Sequence, residues 1–319
     1  MRYDVVALGE LLIDFTMTQR DEQGYPTMQA HPGGAPANFL AALAKYGAST
    51  AMIGKVGQDA FGELLKRTLE EIGVDTTGVV MDPKVFTTLA FVTLDELGER
   101  SFSFARKPGA DTCLEIEEVL RYQIEETKVI HFGTLSLSQE PVRKATRDVV
   151  SYGKSIGKLI TFDPNLRRML WEDLEQARQA MEWGLKQSDV VKLSEEELEF
   201  LFGEISWEKG VERLMKEYDV SLVFLTLGAQ GCLAANRLGC VCVPAPEGIT
   251  AVDTTGAGDI FGGSAVWKLL QMGLHPRGLN EEQLREIAVF ACAAASLSTE
   301  RAGGISSVPT LERVLNCIG

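Results

Sequence analysis

The sequence predicts an α/β protein: a doubly wound, mostly parallel sheet flanked by helices, with a small antiparallel β-sheet lid beside it. Three observations lead there. Six β-branched, apolar runs alternate with segments of helical periodicity, the pattern of a parallel sheet with crossover helices. The runs are near-continuously apolar, as strands covered on both faces are. One stretch, 76–105, breaks the rhythm with short strands and no helix.

The strand-like runs are "DVVALGE" (4–10), "TAMIGKV" (50–56), "KVIHFG" (128–133), "KLITFD" (158–163), "DVVKLS" (189–194) and "SLVFLTLG" (221–228). Helices are expected over 35–46, 59–72, 141–156, 173–187, 195–202, 207–218, 257–272 and 281–298. Residues 76–105 read as three short strands with turns at "MDPK" and "DELGE", and "GYPTMQAHPGG" (24–34) adds a strand. A small sheet with one face left over needs cover: a ligand cleft, a partner subunit, or both. The expected organisation is one domain, 1–319, with the lid formed by about 11–32 and 76–107 inserted in it. There is no internal repeat, low-complexity tract or linker.

The composition narrows the function. Hydrophobic residues are 45% and charged residues 24%, and the net charge is -14. That excess of acid disfavours duplex nucleic acid as a partner. It also means that a polyanionic substrate needs a locally positive site or a metal escort. The N-terminus lacks the basic start and long apolar core of a signal peptide, and no apolar run is long enough for a membrane span. The six cysteines (113, 232, 240, 242, 292, 317) form no C-x-x-C pair. They are expected to be small buried hydrophobes in a reducing cytoplasm, not zinc ligands or disulfides. Cys240 and Cys242 alternate with valines, so they share a face of a strand.

The stretch "DTTGAGDIFGG" (253–263) runs into a helical segment. A helix start exposes unpaired N–H groups and the positive end of the dipole, and so attracts anions. A carboxylate there repels an anion unless it has a task. A bare helix cap is one reading. A dinucleotide or P-loop site is a second, and it fails because neither glycine pattern is present. The third makes the Gly256, Ala257 and Gly258 amides a cradle for a phosphoryl group and Asp259 a general base. The residues alone leave the first and third open. In "HPGGAPAN", Gly33 and Gly34 form a turn before a helix whose first turn carries Asn38, either a plain helix start or a grip for a polyol. Asp14, at the end of an apolar run, needs a partner if buried. It either caps the lid junction or binds two sugar hydroxyls.

"GGAPAN", "GKVGQDAFGELL" and "DTTGAGDIFGG" together resemble the PfkB (ribokinase-like) carbohydrate kinases, over nearly the whole chain. "FARKPGADTCL", "HFGTLSLSQEPVR" and "FDPNLRRMLW" are similar, more narrowly, to the fructokinases of bacteria and plants. The resemblance implies Asp259 as catalytic base, with Gly256, Ala257 and Gly258 as anion hole. It implies Asp14, Gly33, Gly34 and Asn38 around a sugar, and Arg106 reaching to it or to the transferred phosphate. The alternative for Arg106 is a surface salt bridge. Asp163 and Asn165 would lie near phosphates or metal waters, and Lys192 near the nucleotide. Thr226, Gly228 and Gly231 would contact that nucleotide at a strand's C-terminal end.

One departure stands out. Many members carry an N-x-x-E motif linked to magnesium and phosphate handling, which implies Ser194 and Glu197 at the nucleotide, although here serine stands three residues before Glu197 in place of the asparagine. The same spacing makes a capping box, and both readings can hold together. The family also implies Mg2+ with ATP, and potassium held by Asp253, Thr255, Gly303 and Ser307. The expected activity is ATP-dependent phosphorylation of a sugar primary hydroxyl, D-fructose first. The alternatives are a 2-keto-3-deoxygluconate or other sugar kinase, and, outside enzymes, an inactive sugar or nucleotide sensor. A homodimer through the lid is expected.

Overall fold

The computed structural model describes residues 1–94 and 100–319. The expected turn at "DELGE" (95–99) lies outside them. In chain order the elements are β1 (Tyr3–Leu8), β2 (Leu12–Arg20), β3 (Pro26–Gly33), α1 (Ala35–Lys45), β4 (Thr50–Gly57), α2 (Ala60–Glu71), β5 (Val74–Asp82), β6 (Thr88–Leu94) and β7 (Arg100–Ala105). Then come α3 (Arg121–Glu125), β8 (Thr127–Gly133), α4 (Val142–Ser155), β9 (Leu159–Asp163), α5 (Leu174–Gln187), β10 (Val190–Ser194), α6 (Glu195–Phe202), α7 (Trp207–Tyr218) and β11 (Leu222–Thr226). The chain closes with β12 (Cys232–Asn236), β13 (Gly239–Val243), α8 (Ala257–Met272), α9 (Glu281–Ser298) and α10 (Leu311–Ile318).

Nine strands form the main sheet in the order β13-β12-β11-β10-β9-β8-β1-β4-β5. From β11 across to β5 every pair is parallel, and β12 and β13 add an antiparallel edge. The two faces are both covered, which is why the strands read as unbroken apolar runs. Val5 and Ala7 of β1 pack with α1 residues such as Phe39 and Leu40. Val6 and Leu8 pack into the opposite core with Val149 of α4 and Met181 of α5. The chain starts in mid-sheet, winds outward through β4 and β5, then returns to β8 and winds the other way. The strand order therefore reverses between β1 and β8, and the diverging C-terminal ends leave a crevice there.

The lid is a separate four-stranded sheet, β3-β2-β6-β7. It differs from the expectation in two ways. Its central pair, β2 and β6, is parallel, while β2–β3 and β6–β7 are antiparallel. The first strand assigned to the lid segment 76–107 is β5, which leaves the lid and pairs parallel with β4 at the edge of the main sheet. The physical reason is the preceding helix: α2 returns the chain over the sheet, so β4-α2-β5 is one more crossover unit whose strand buries Val74 and Val79. Sequence reading took β5 with its short neighbours because no helix follows it.

The eight expected helices are all present, and α3 and α10 were not foreseen. The cysteine expectation needs correction. Cys232 and Cys292 are buried, but Cys240 and Cys242 are exposed. They do share a face of β13, but Val241 and Val243 took the inward one. The valine face packs into a core with Leu284 and Ile287 of α9.

Candidate active site

A cleft of about 870 Å3 lies at the C-terminal ends of the parallel strands, between the main sheet and the lid. The start of α8 forms its floor. Gly256 is the N-cap at φ 76, in left-handed backbone that favours glycine. A Cβ there would also come within 2.9 Å of Gly304 Cα. Among the described residues, the Gly258 and Asp259 amides donate to no protein partner, whereas Ala257 N–H donates to the Thr254 carbonyl at 3.2 Å. Two N–H groups at the positive end of a 16-residue helix thus face the cleft.

Asp259 sits in the first turn of α8, with 9% of its surface exposed. Each carboxylate oxygen is held by one amide. Asn38 Nδ2 donates to Oδ2 at 2.9 Å, and Asn165 Nδ2 donates to Oδ1 at 3.2 Å. Burial pushes its pKa up, while the Asn38 hydrogen bond and the Lys192 charge pull it back. Asn165 takes this position with φ 43, rare for a side-chain-bearing residue.

Lys192, on β10, donates to Asp163 Oδ2 at 2.9 Å and is 12% exposed. Burial works against its charge, but Asp163, Glu197 and Asp259 outweigh it and raise its pKa. A Cβ on Gly258 would lie 2.9 Å from Lys192 Nζ, so the ammonium flanks the amide cradle. Asp163 is pushed up to about 7, mainly by burial. Ser194 and Glu197 form the reciprocal capping box at the start of α6, and Glu197 Oε1 also accepts from Leu166 N–H at 2.7 Å. Both face the cleft, so capping and ligand contact are compatible there.

On the lid side, Asp14 projects from β2 with Thr16, opposite Gly34 and Asn38. Burial raises the Asp14 pKa to about 6; the Arg167 charge opposes this and the Asp259 charge adds to it. Gly33 packs behind Asp14: a Cβ there would lie 2.5 Å from Oδ2. At the far end Thr226, Gly228 and Gly231 line the cleft with Ala245, Cys292 and Ser296. These small residues leave a broad shelf beyond β11.

Two groups stand elsewhere. Arg106 is only 2% exposed and is absent from the cleft wall. Its guanidinium is committed to Asp111 at 2.6 Å, the Ser138 hydroxyl at 3.1 Å and the Leu135 carbonyl at 3.1 Å. The salt bridge is therefore buried, not on the surface, and the guanidinium stands behind the cleft wall where a reach to the sugar was expected. The other group is the loop pair behind α8. Asp253 Oδ1 accepts from Thr255 Oγ1 at 2.7 Å, and Asp253 Oδ2 accepts from Gly303 N–H at 3.0 Å. Ser307 Oγ donates to the Gly304 carbonyl at 2.8 Å. Of these four, only Thr255 lines the cleft.

Sequence reading missed Arg167 and Glu10, both cleft-lining. Arg167 is exposed, two residues past Asn165, and its charge favours the ionised forms of Asp14 and Asp259. The basic pair in "FDPNLRR" was the available signal. Glu10 left a fainter one, as the first of two acids in "GELLIDF".

A family model described as pfkB family carbohydrate kinase matches residues 2–311. Fructokinase-1 of Zea mays is 40% identical over 317 residues, covering 98% of this chain and 97% of that protein. The crystal structure of fructokinase with bound ATP from Xylella fastidiosa superposes with a TM-score of 0.91 at 30% identity, over 99% of this chain and 98% of that one. A double mutant of Vibrio cholerae O395 fructokinase, in a form bound to fructose, ADP and potassium ion, gives 0.87 at 31% identity, over 100% and 99%.

Proposed function

The chain belongs to the pfkB family of carbohydrate kinases, and from that premise we propose that it transfers the γ-phosphoryl group of ATP to the primary hydroxyl of D-fructose, giving fructose 6-phosphate and ADP. The observation that carries this reading is the start of α8. A fixed, buried carboxylate and two unpartnered amides share one helix turn. A base and an anion cradle side by side are what phosphoryl transfer to a hydroxyl requires.

Fructose lies under the lid, between Asp14, Gly34 and Asn38. The two asparagine amides hold the Asp259 carboxylate in one plane and leave lone pairs for the attacking hydroxyl. Asp259 takes that proton as the oxygen attacks phosphorus. The Gly258 and Asp259 N–H groups and the Lys192 ammonium receive the charge on the transferred group. They are fixed before the reaction begins, so little reorganisation opposes it. The lid over the sugar excludes water, the competing nucleophile. ATP binds along the Thr226–Gly231 shelf.

Mg2+ would accompany ATP, neutralising phosphate charge, and the acid groups near the phosphates, Glu197 and Asp163, suit its water ligands. Potassium suits the junction of loops 253–255 and 301–307. Its groups are one carboxylate, two hydroxyls and carbonyls, an all-oxygen set of low charge. The Ser307 hydroxyl is turned to the Gly304 carbonyl and would have to rotate to join it. Six free thiols suit a reducing cytoplasm. A second copy of the chain would cover the outer lid face, where Phe15 stacks on Phe91 with ring centroids 5.4 Å apart. Light scattering at micromolar concentration should give twice the 34.8 kDa chain mass, and a monomer removes that part of the reading.

The test of function is ADP release with Mg-ATP and K+ over fructose, glucose, ribose, mannose, 2-keto-3-deoxygluconate and adenosine. Fructose should give the highest kcat/KM. Preference for the acidic sugar would overturn the fructose assignment. No turnover by a folded, ATP-binding protein would favour a sensor.

A further inference from the structure

Helix α1 starts without any local cap. Its N-cap is Gly34, its first turn holds no acid, and Pro36 carries no N–H. Gly34 sits at φ 114, and a Cβ there would run into the Glu10 carbonyl. No side chain at that position could serve as the usual Ser, Thr, Asp or Asn cap. The acceptor comes from 25 residues upstream: Glu10 Oε1 takes the Ala35 N–H at 3.0 Å. Glu10 is 4% exposed, yet it lines the same cleft as Gly34 and Asn38. A carboxylate at a helix N-terminus is favoured by the dipole, which offsets part of the cost of burying it.

The consequence runs along one helix turn. Ala35 is three residues before Asn38, and Asn38 Nδ2 holds Asp259. We propose that Glu10 is a positioning residue for the sugar half of the site: by holding the Ala35 N–H it fixes the first turn of α1, so that Gly34 and Asn38 meet the sugar in register. This rests on the sugar-kinase reading above. Glu10 touches no reacting atom in it. Arg106 enters here rather than at the sugar. Its charge, held by Asp111, faces Glu10 from beyond β7, and Asp111 faces it from the turn at 110–113. Glu10 titrates within reach of assay: burial pushes its pKa up to about 7, against its own N–H, the Arg106 charge and the Ala35 N–H, while the Asp111 charge adds to the rise. Asp14, the next acid in the cleft, lies at about 6.

The experiment uses the full chain with E10A and E10Q. It reads KM for fructose at saturating Mg-ATP, KM for ATP at saturating fructose, and the fructose Kd of the free enzyme from pH 5.5 to 8.5. E10A should raise the fructose KM roughly 10-fold, the scale of a lost charge-assisted hydrogen bond, and leave the ATP KM within about twofold. E10Q keeps an acceptor and should recover most of that loss. In the wild type the fructose Kd should rise as pH falls through about 7, and only by the small factor that separates E10Q from wild type, because the protonated carboxyl still accepts through its carbonyl oxygen. E10Q should lack that step and keep any step nearer 6. Equal rises in both KM values, or a lowered Tm with neither KM changed, would overturn the proposal. So would an E10Q profile that keeps the step near 7, and this profile decides the matter alone if E10A does not fold. A wild type inactive on fructose sinks the kinase reading and this inference with it. An active wild type with an indifferent E10A sinks only the inference.

Discussion

Helices α1 and α8 begin side by side at the cleft, and the two beginnings are finished differently. Each has a glycine N-cap in positive φ, 114 at Gly34 and 76 at Gly256, and neither N-cap supplies a side chain. At α1 the chain supplies its own anion, Glu10, to the first amide. At α8 the Gly258 and Asp259 amides have no partner among the described residues. The one acid in that turn, Asp259, faces Asn38 and Asn165 instead of folding back to cap the helix. The same local device therefore gives two outcomes. A helix start filled from within holds geometry; one left open holds a ligand's developing charge.

That contrast can be broken at its two glycines. Gly256→Ala forces a side chain into left-handed backbone and against Gly304. It should lower kcat by about 100-fold, the scale of losing one oxyanion donor, with the fructose KM changed much less. Gly34→Ala drives a methyl into the Glu10 carbonyl. It should raise the fructose KM about 10-fold, as for one lost charge-assisted hydrogen bond, with a smaller fall in kcat. Steady-state kinetics on both variants checks the split. If both move kcat and KM alike, the division of labour between the helices is wrong.

A smaller effect sharpens the comparison from the stability side. Asp14 is buried with its pKa raised to about 6, above the roughly 4 of an unfolded aspartate. A raised carboxyl pKa means that the ionised form is disfavoured in the fold. The penalty is full above pH 6 and is relieved as pH falls toward 4. Asp14→Asn should therefore stabilise the ligand-free protein by up to about 3 kcal/mol at pH 8, with the gain vanishing near pH 4. Chemical denaturation at the two pH values reads it, and an unchanged or lower stability at pH 8 would contradict the burial argument. Fructose turnover should fall in the same variant, a trade of activity for stability.

What could be read beforehand follows from how local each signal is. The six parallel strands and eight helices announced themselves by period and apolar runs, because both faces of the sheet are covered. Ser194 and Glu197 were legible as a capping box because the motif closes on itself within four residues. The glycines of 253–263 marked the start of α8, since only a permissive backbone turns there. The failures share the opposite property. β5 reads as a lid strand until α2 is known to return over the sheet. Cys240 and Cys242 share a face, but the sequence does not say which face α9 covers. Arg106 looks like a reaching cation until Asp111, five residues on, proves to be folded against it. Glu10 looked like one acid of two, because its partner is the amide of a residue 25 positions away.

The most direct test of the account is Asp259→Asn, with kcat for fructose and fructose affinity by calorimetry measured on one preparation. The account predicts that kcat falls by about 1,000-fold or more, within the range for removing a general base, while the fructose Kd stays within a few fold. Loss of fructose affinity with phosphoryl transfer largely retained would mean that Asp259 holds the sugar rather than taking its proton, and the reading of the α8 start as the catalytic centre would fall.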